Sequence, residues 1–220
     1  MMTSFARRLL RRFQRPSFAL NDLDRKLLRW LDRRGGFFIE AGANDGITQS
    51  NTLYFERYRG WTGLLVEPIP ELAERCRRNR PGCIVENAAL VARGDPRDEV
   101  SMQYCNLMSI VEGAMKSEAA DREHLERGRA VQRIDTYEVK VRARTMDDVL
   151  AEHCITRVDF LSLDVEGYEL EVLKGMTSVR PDYMLIEVRD RPAVEAWLKP
   201  AYDAVALLSH HDVLFRRRSR

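Results

Sequence analysis

The feature that most constrains this chain is a series of five short apolar segments, each ending at or beside an acidic or polar residue. Continuous apolar runs of four or five residues, mostly followed by a helical pattern, are typical of strands buried on both faces of a parallel sheet. They predict a doubly wound α/β fold with helices on both faces of the sheet. The segments span residues 37–40, 64–67, 83–87, 160–164 and 184–188.

Two further patterns lie at the ends of this series. Before it, Asn21 or Asp22 is placed to cap a helix that leads into the first strand. After it, a helix from about residue 192 precedes residues 205–208 and 213–215, which predict a C-terminal antiparallel hairpin on the otherwise mostly parallel sheet.

The length and the interruptions of the pattern predict the domain organisation. A chain of 220 residues suits one domain, which we place at residues 21–215. Basic tails flank it at residues 1–20 and 216–220. An insertion with its own helix is predicted at about residues 101–136, either as a lid or acceptor-binding element or as a solvated helix that only caps the sheet.

Positive charge is concentrated at the two ends of the chain. The net charge is +2, yet five arginines occur in the first 15 residues and four in the last five, which leaves the middle acidic. In the N-terminal tail the arginines alternate with Phe5, Leu9, Leu10 and Phe13. This pattern predicts either a peripheral contact with an anionic membrane or a solvated terminus.

Several classes of protein do not fit the composition. Apolar runs of about 18 residues, which a membrane-spanning helix needs, do not occur, and the basic N-terminus lacks the features of a secretory signal. We therefore expect a cytoplasmic protein. The four cysteines are scattered without metal-ligand spacing, so neither a zinc site nor a disulfide framework is predicted.

A glycine turn follows the first predicted strand. Glu40 ends the strand, and Gly42, Asn44, Asp45 and Gly46 follow it. Glycines at a strand end allow a ligand to approach the backbone, and the Gly-x-x-x-Gly spacing differs from that of dinucleotide-binding turns. The Glu40 carboxylate suits a ligand with a cationic ammonium group, such as S-adenosylmethionine.

The next two strand ends predict the rest of a nucleoside site. Glu67, followed by Pro68, is placed to accept hydrogen bonds from both ribose hydroxyls. Asn87 and Ala88 end the third strand, where a small side chain leaves room for adenine and an amide can bind its polar rim. A tight turn packed under a helix is the alternative for these two residues.

The candidate catalytic residues come from the last two predicted strands and the hairpin. Asp164 and Glu166 could accept a proton, and with Glu187 they could hold a magnesium ion, which is the less favoured hypothesis. His210 and His211 are further candidates for the base because histidine titrates near neutrality.

Two stretches resemble the FkbM family of S-adenosylmethionine-dependent methyltransferases. They read FFIEAGANDGITQSNTLYFERYRGWTGLLVEPIPELAERCRRNRP and VDFLSLDVEGYELEVLKGM. The resemblance covers about residues 23–215. It implies a class I methyltransferase fold and usually O-methylation of a hydroxyl on a sugar, glycan or other natural product. The positions that it assigns to the cofactor site, or beside it for the last two, are Glu40, Gly42, Asp45, Gly46, Glu67, Asp164, Asn51 and Thr52.

Two other functions stay open at this point. A non-catalytic binding module would keep the fold and the cofactor affinity without turnover. A nucleotide-dependent oxidoreductase is disfavoured by the glycine spacing. A nucleic-acid substrate is not expected, since the positive charge is confined to the tails and the aromatic residues are dispersed. The sequence does not indicate an oligomeric state.

Overall fold

The computed structural model describes residues 15–111, 118–132 and 135–219. The predicted contact between the N-terminal tail and a membrane falls mostly on residues 1–14, outside the described part. The described residues form seven α-helices and eleven strands. The helices are α1 (Leu23–Leu27), α2 (Leu53–Arg59), α3 (Pro70–Asn79), α4 (Glu118–Gln132), α5 (Met146–Glu152), α6 (Glu169–Lys174) and α7 (Arg191–Leu198). The strands are β1 (Phe37–Ala41), β2 (Thr62–Val66), β3 (Ile84–Glu86), β4 (Ala89–Leu90), β5 (Glu99–Tyr104), β6 (Ile110–Val111), β7 (Tyr137–Arg144), β8 (Phe160–Leu163), β9 (Tyr183–Glu187), β10 (Tyr202–Leu207) and β11 (Asp212–Arg217).

The main sheet has seven strands in the order β10-β11-β9-β8-β1-β2-β3. The five predicted segments form β1, β2, β3, β8 and β9, which are parallel to one another. The hairpin strands β10 and β11 are antiparallel, and β11 pairs with β9. The predicted fold, a doubly wound and mostly parallel sheet with a C-terminal antiparallel hairpin, is confirmed.

The continuous apolar runs fold as strands because both faces of the sheet are covered. Phe38 and Ile39 are neighbours in β1 and both are fully buried, but they pack into separate cores on opposite faces. Leu64 and Leu65 divide in the same way on β2. Burying such a side chain contributes about 1.5–3 kcal/mol, so both cores stabilise the central strands.

The predicted insertion folds into more than a helix. Helix α4 is present, and along the chain β5 precedes it and β7 follows it. These two strands pair with each other in a second sheet of order β4-β7-β5-β6. This sheet extends beyond the predicted insertion of about residues 101–136, since β4 lies at Ala89–Leu90, β5 begins at Glu99 and β7 ends at Arg144. The alternation in this segment, where Val100 and Met102 are buried and Glu99 is exposed, is the period of a half-buried strand.

The C-terminal boundary also differs from the prediction. The hairpin was predicted at residues 205–208 and 213–215, whereas β11 continues to Arg217, so Arg216 and Arg217 are not part of a tail. Charged residues are accommodated at this strand end because ion pairs form there. Arg217 Nη2 lies 2.5 Å from Asp182 Oδ1, and Arg218 Nη2 lies 2.7 Å from Asp203 Oδ1.

The helix before β1 begins differently from the prediction. Asn21 and Asp22 both have positive φ angles, 53° and 57°, and neither side chain caps the helix. Instead the buried carboxylate of Asp24 accepts hydrogen bonds from Ser17 Oγ and the Phe18 N–H. None of the helices in the described ranges is both long and apolar enough to cross a membrane.

The close pairing of β1 and β2 gives a test of this packing. Gly63 lies opposite Phe38, and a Cβ there would be 2.2 Å from Phe38 Cε2 and 2.6 Å from its carbonyl oxygen. Gly63→Ala should therefore lower the free energy of unfolding by about 3 kcal/mol, at the upper end of typical overpacking costs. Urea denaturation measures this.

Gly82→Ala is the matched control, since the nearest atom to its Cβ would be Glu56 Oε1 at 3.9 Å. Its stability should stay within about 0.5 kcal/mol of the wild type. Equal stability of the two variants would contradict the described β1–β2 packing.

Candidate functional site

The glycine turn brings the end of β1 against the end of β8. Gly42 has a φ of +83°, and a Cβ at this position would lie 1.8 Å from the carbonyl oxygen of Asp164. Only glycine fits both the dihedral and the contact. The Asp164 N–H also donates to the Ala41 carbonyl oxygen at 3.1 Å, which fixes the two strand ends to each other.

Glu40 fastens the loop that follows this turn. Its carboxylate accepts hydrogen bonds from Ser50 Oγ at 2.8 Å, the Asn51 N–H at 2.7 Å and Thr52 Oγ1 at 2.6 Å. The predicted role was to attract the ammonium group of a ligand. The structure instead directs the buried carboxylate into its own loop, together with the predicted Asn51 and Thr52.

Sequence reasoning missed Arg80, the cation at the centre of this loop. Its side chain has no exposed surface. It donates to the Gly46 carbonyl oxygen at 2.9 Å, to Ser50 Oγ at 3.3 Å and to Thr52 Oγ1 at 3.1 Å. It also pairs with Glu56, and its Nη1 lies 3.7 Å from Glu40 Oε2. An arginine at the end of a charged helix gives no sequence signal that it will be buried.

The remaining residues of the turn shape its backbone. Asp45 Oδ1 accepts the N–H groups of Ile47 and Thr48, at 2.9 and 2.7 Å. Burial alone would raise the pKa of Asp45, but hydrogen bonds from Thr48 and Ile47 outweigh it and lower the pKa. Gly46 has a φ of +79° and lies against Arg80. Asp45 and Gly46 thus support the turn from within.

Glu67 joins the ends of β1 and β2. Its Oε2 accepts the Asn44 N–H at 2.7 Å and its Oε1 accepts the Ile69 N–H at 3.0 Å. Burial raises the pKa of Glu67 to about 8 in spite of these two donors. Asn87 donates through Nδ2 to the carbonyl oxygens of Glu67 and Pro68, both at 2.8 Å, so that amide group supports the strand ends.

A cavity opens at this edge of the main sheet, between it and the second sheet. The space between its walls, including the open mouth, is about 690 Å³. Predicted residues on its wall are Gly42, Asn44, Glu67, Pro68, Ala88, Asp164 and Glu166. The predicted insertion and the segment after β8 supply further wall residues, which sequence reasoning did not assign to the site. They are Met102, Asn106, Leu107, Ser109, Val111, Val165 and Tyr168.

Asp164 and Glu166 bring acidic groups to this wall. Asp164 Oδ1 is buried and has no hydrogen-bond partner. Burial, and then the neighbouring Glu187 and Glu166 carboxylates, raise the pKa of Asp164 well above its usual value. Burial also raises the pKa of Glu166 to about 7, although Arg189 forms an ion pair with it.

The structure does not bring the two predicted catalytic histidines to the cavity. His210 and His211 are exposed at the tip of the hairpin, with ring centroids 4.7 Å apart, and neither lies on the cavity wall. A different histidine is near: His124 on α4 is buried, and its Nε2 lies 3.9 Å from Glu166 Oε2. No spacing in the sequence pairs His124 with Glu166.

The acidic wall does not form a three-ligand metal cluster. Among the residues that the structure describes, the donor atoms of Glu86, Glu152 and His153 alone form such a group within 4.8 Å of one another. Arg144 Nη1 already lies 3.0 Å from Glu86 and 2.6 Å from Glu152. Asp164, Glu166 and Glu187, the residues of the magnesium hypothesis, are not gathered in this way.

Comparison with known protein families identifies the family of this chain. The family profile of the methyltransferase FkbM domain matches residues 40–218. The chain belongs to the FkbM methyltransferase family. The resemblance seen in the sequence is thereby confirmed, and the protein is an S-adenosylmethionine-dependent methyltransferase with the class I fold. A search among curated proteins finds no match.

Solved structures of methyltransferases are distantly similar to this FkbM chain. A TehB-like S-adenosylmethionine-dependent methyltransferase from Corynebacterium glutamicum has 10% identity and a TM-score of 0.45, with 97% of this chain and 95% of that chain covered. One from Thiobacillus denitrificans, in complex with S-adenosyl-L-homocysteine, has 10% identity and a TM-score of 0.42, covering 93% and 73%. One from Aquifex aeolicus has 12% identity and a TM-score of 0.42, covering 94% of each chain. These similarities are too distant to assign any residue of this chain.

The residues of this FkbM methyltransferase fit the cofactor. Each Glu67 oxygen accepts one backbone N–H and keeps a lone pair that a ribose hydroxyl can use. Among the described residues, the buried side-chain atoms without a hydrogen-bond partner are Asn51 Oδ1 and Asp164 Oδ1. Both lie beside β8, since Asp164 directly follows the strand and Asn51 Nδ2 bonds to Ser162 Oγ at 3.0 Å. The ammonium group of the cofactor is a donor of the kind that Asn51 Oδ1 lacks.

The buried Arg80 gives a test of how the loop is held. Arg80→Met keeps much of the side-chain volume but leaves the buried Glu40 without its cation. It should lower the free energy of unfolding by about 3–5 kcal/mol in urea denaturation. Arg78→Met, on the exposed side of the same helix, is the control and should change the free energy by less than about 0.5 kcal/mol. A loss below about 1 kcal/mol for Arg80→Met would refute the described role.

Proposed function

We propose that this methyltransferase transfers the methyl group to a hydroxyl oxygen of a sugar, a glycan or another natural product. The observation that supports a hydroxyl acceptor is the state of Asp164, whose buried Oδ1 on the cavity wall has no hydrogen-bond partner. A hydroxyl must lose its proton during transfer, and a carboxylate of raised pKa is suited to accept it near neutral pH.

The protein residues divide the work between positioning and proton transfer. Bound S-adenosylmethionine supplies a methyl carbon that is already activated by the adjacent sulfonium. Glu67 holds the ribose hydroxyls, and the Gly42 backbone leaves room beside them. The acceptor hydroxyl would donate its hydrogen bond to Asp164 Oδ1, and this carboxylate would take the proton that is released when the methyl group passes from sulfur to oxygen and S-adenosylhomocysteine leaves. Fixing the acceptor in line in this way provides much of the rate enhancement.

Other candidate roles receive less support. His210 and His211 are exposed and lie outside the cavity wall, so the proposal gives them no part in proton transfer. Magnesium is likewise not required, because Asp164 alone can accept the proton. The oxidoreductase alternative is set aside because the chain belongs to a methyltransferase family. A non-catalytic binding module remains the competing proposal, and it predicts cofactor binding without turnover.

The pKa of Glu67 leads to a prediction for nucleoside binding. The ribose hydroxyls bind best to the ionised carboxylate, while burial raises its pKa to about 8 in the free protein. Affinity should therefore increase as the pH rises from 6 to 8, by up to about tenfold per pH unit, with release of a proton on binding. Calorimetric titration with methylthioadenosine measures both quantities, and this ligand lacks the amino acid part that would contact the acidic wall.

Glu67→Gln is the control, because it retains the shape and cannot ionise. Its affinity should be weaker above pH 8 and independent of pH between 6 and 8. A pH dependence that persists in Glu67→Gln would assign the titration to another group and would remove Glu67 from the ribose site.

The assignment of the base is tested by Asp164→Asn, which keeps the size of the side chain and removes its basicity. Transfer of a labelled methyl group to a panel of mono- and oligosaccharides should fall by about 10²–10⁴-fold in kcat, while S-adenosylhomocysteine still binds. In the wild type, kcat/KM should rise with pH through the raised pKa of Asp164.

The double variant His210→Ala/His211→Ala serves as the matched control for loss of a titratable group outside the cavity. Its kcat should stay within about twofold of the wild type. A large loss there, with activity retained in Asp164→Asn, would reverse the assignment. Cofactor binding by the wild type without methylation of any hydroxyl acceptor would favour the binding module.

A further inference from the structure

Arginines cluster at the edge of the main sheet where its parallel strands begin. Loops before β1, β2, β8 and β9 meet there, and the end of β11 joins them because Arg216 pairs with Tyr183 at the start of β9. We call this surface the basic edge. Its arginines are Arg33, Arg34, Arg59, Arg157, Arg180, Arg216, Arg217 and Arg218.

Much of this positive charge is not neutralised. Five of the eight arginines form ion pairs, and their partners are Asp32, Asp159, Asp182 and Asp203. Arg34, Arg180 and Arg216 are exposed, and no carboxylate in the described part of the chain pairs with them. The basic edge therefore carries an excess of positive charge toward solvent.

The opposite edge of the same sheet is acidic. Glu67, Asp164 and Glu166 lie just after the carboxyl ends of their strands on the cavity wall, and Glu187 ends β9 near Asp164. A strand of five residues is about 16 Å long, which exceeds the Debye length of about 8 Å at physiological ionic strength. A charged partner at one end of the sheet is therefore largely screened from the charges at the other end. The molecule has a positive end opposite its cofactor cavity.

The N-terminal tail leaves the fold at the basic edge. Arg15 Nη1 donates to the Tyr58 carbonyl oxygen at 3.1 Å, and its guanidinium lies 4.5 Å from the centre of the Tyr58 ring. Arg15 lines one surface depression together with Arg34 and Arg59. The sequence before Arg15 adds four more arginines with interleaved apolar residues, so the tail carries the same sign of charge as the basic edge.

We infer that the basic edge docks the protein on a membrane that carries anionic headgroups, with the cofactor cavity turned toward the aqueous side. Arginines bind lipid phosphates and carboxylates, and the apolar residues of the tail have the acyl region as a matching environment. A nucleic acid would use the arginines but would give the aliphatic residues nothing to bind. Because the basic edge and the cavity lie at opposite ends of the parallel strands, docking through the basic edge leaves the cavity facing away from the membrane.

Vesicle co-sedimentation of the full-length protein tests this inference. The probes are vesicles of phosphatidylcholine alone and vesicles with 30 mole per cent phosphatidylserine. The wild type should bind the anionic vesicles, and raising the salt concentration should weaken binding. In Arg34→Glu/Arg180→Glu/Arg216→Glu the affinity should fall at least tenfold, on the basis of the energy that each basic residue contributes near such a surface.

The matched control is Arg122→Glu/Arg127→Glu/Arg142→Glu, which makes the same change in net charge on exposed residues of α4 and β7. Its affinity should stay within about threefold of the wild type. An equal fall in both variants, or a fall in neither, would refute docking through the basic edge. So would tighter wild-type binding to a single-stranded RNA than to the anionic vesicles. Unchanged S-adenosylhomocysteine affinity in the basic-edge variant shows that its cofactor site is intact.

Discussion

The buried guanidinium of Arg80 is the interaction on which the candidate site depends. A cation with no exposed surface is tolerated only when carboxylates and hydrogen-bond acceptors compensate for its lost hydration. Glu40 and Glu56 provide the charge, and the Gly46 carbonyl and two loop hydroxyls provide acceptors. The loop after β1 is therefore ordered before any ligand arrives, and binding need not supply the cost of ordering it.

The chemistry of the cavity follows from its position between two sheets. The ends of β1, β2 and β8 supply the carboxylates, and the second sheet covers them with apolar side chains such as Met102 and Val111. Burial of this kind raises the pKa of Glu67 and of Asp164. The same cover that shapes the acceptor side of the cavity thus tunes the groups that would bind ribose and accept a proton.

The polarity of the sheet also organises the surface of the molecule. Parallel strands place all their carboxyl ends at one edge, where acidic residues surround the cavity, and all their amino ends at the other, where arginines collect. A net charge of +2 does not reveal this cluster of arginines, because acidic residues elsewhere in the chain offset it in the sum. The proposed attachment to a membrane and the access of the acceptor would therefore use opposite ends of the sheet.

The sequence by itself determined the main sheet, its parallel core and the family. The apolar runs 37–40, 64–67 and 160–164 form central strands because a run buried on both faces carries its own signal. It did not determine the second sheet, whose short strands at residues 99–104 and 137–144 are half-buried and far apart along the chain.

Only the tertiary structure decided which of the carboxylates lies on the cavity wall. Glu40 and Glu67 look alike in sequence, as acids that end neighbouring strands, but only Glu67 lies on the cavity wall. The difference comes from Arg80, a residue 40 positions after Glu40, which together with the loop hydroxyls holds the Glu40 carboxylate in the protein interior. Strand ends are set by local pattern, whereas the direction of a side chain depends on partners that folding brings from elsewhere in the chain.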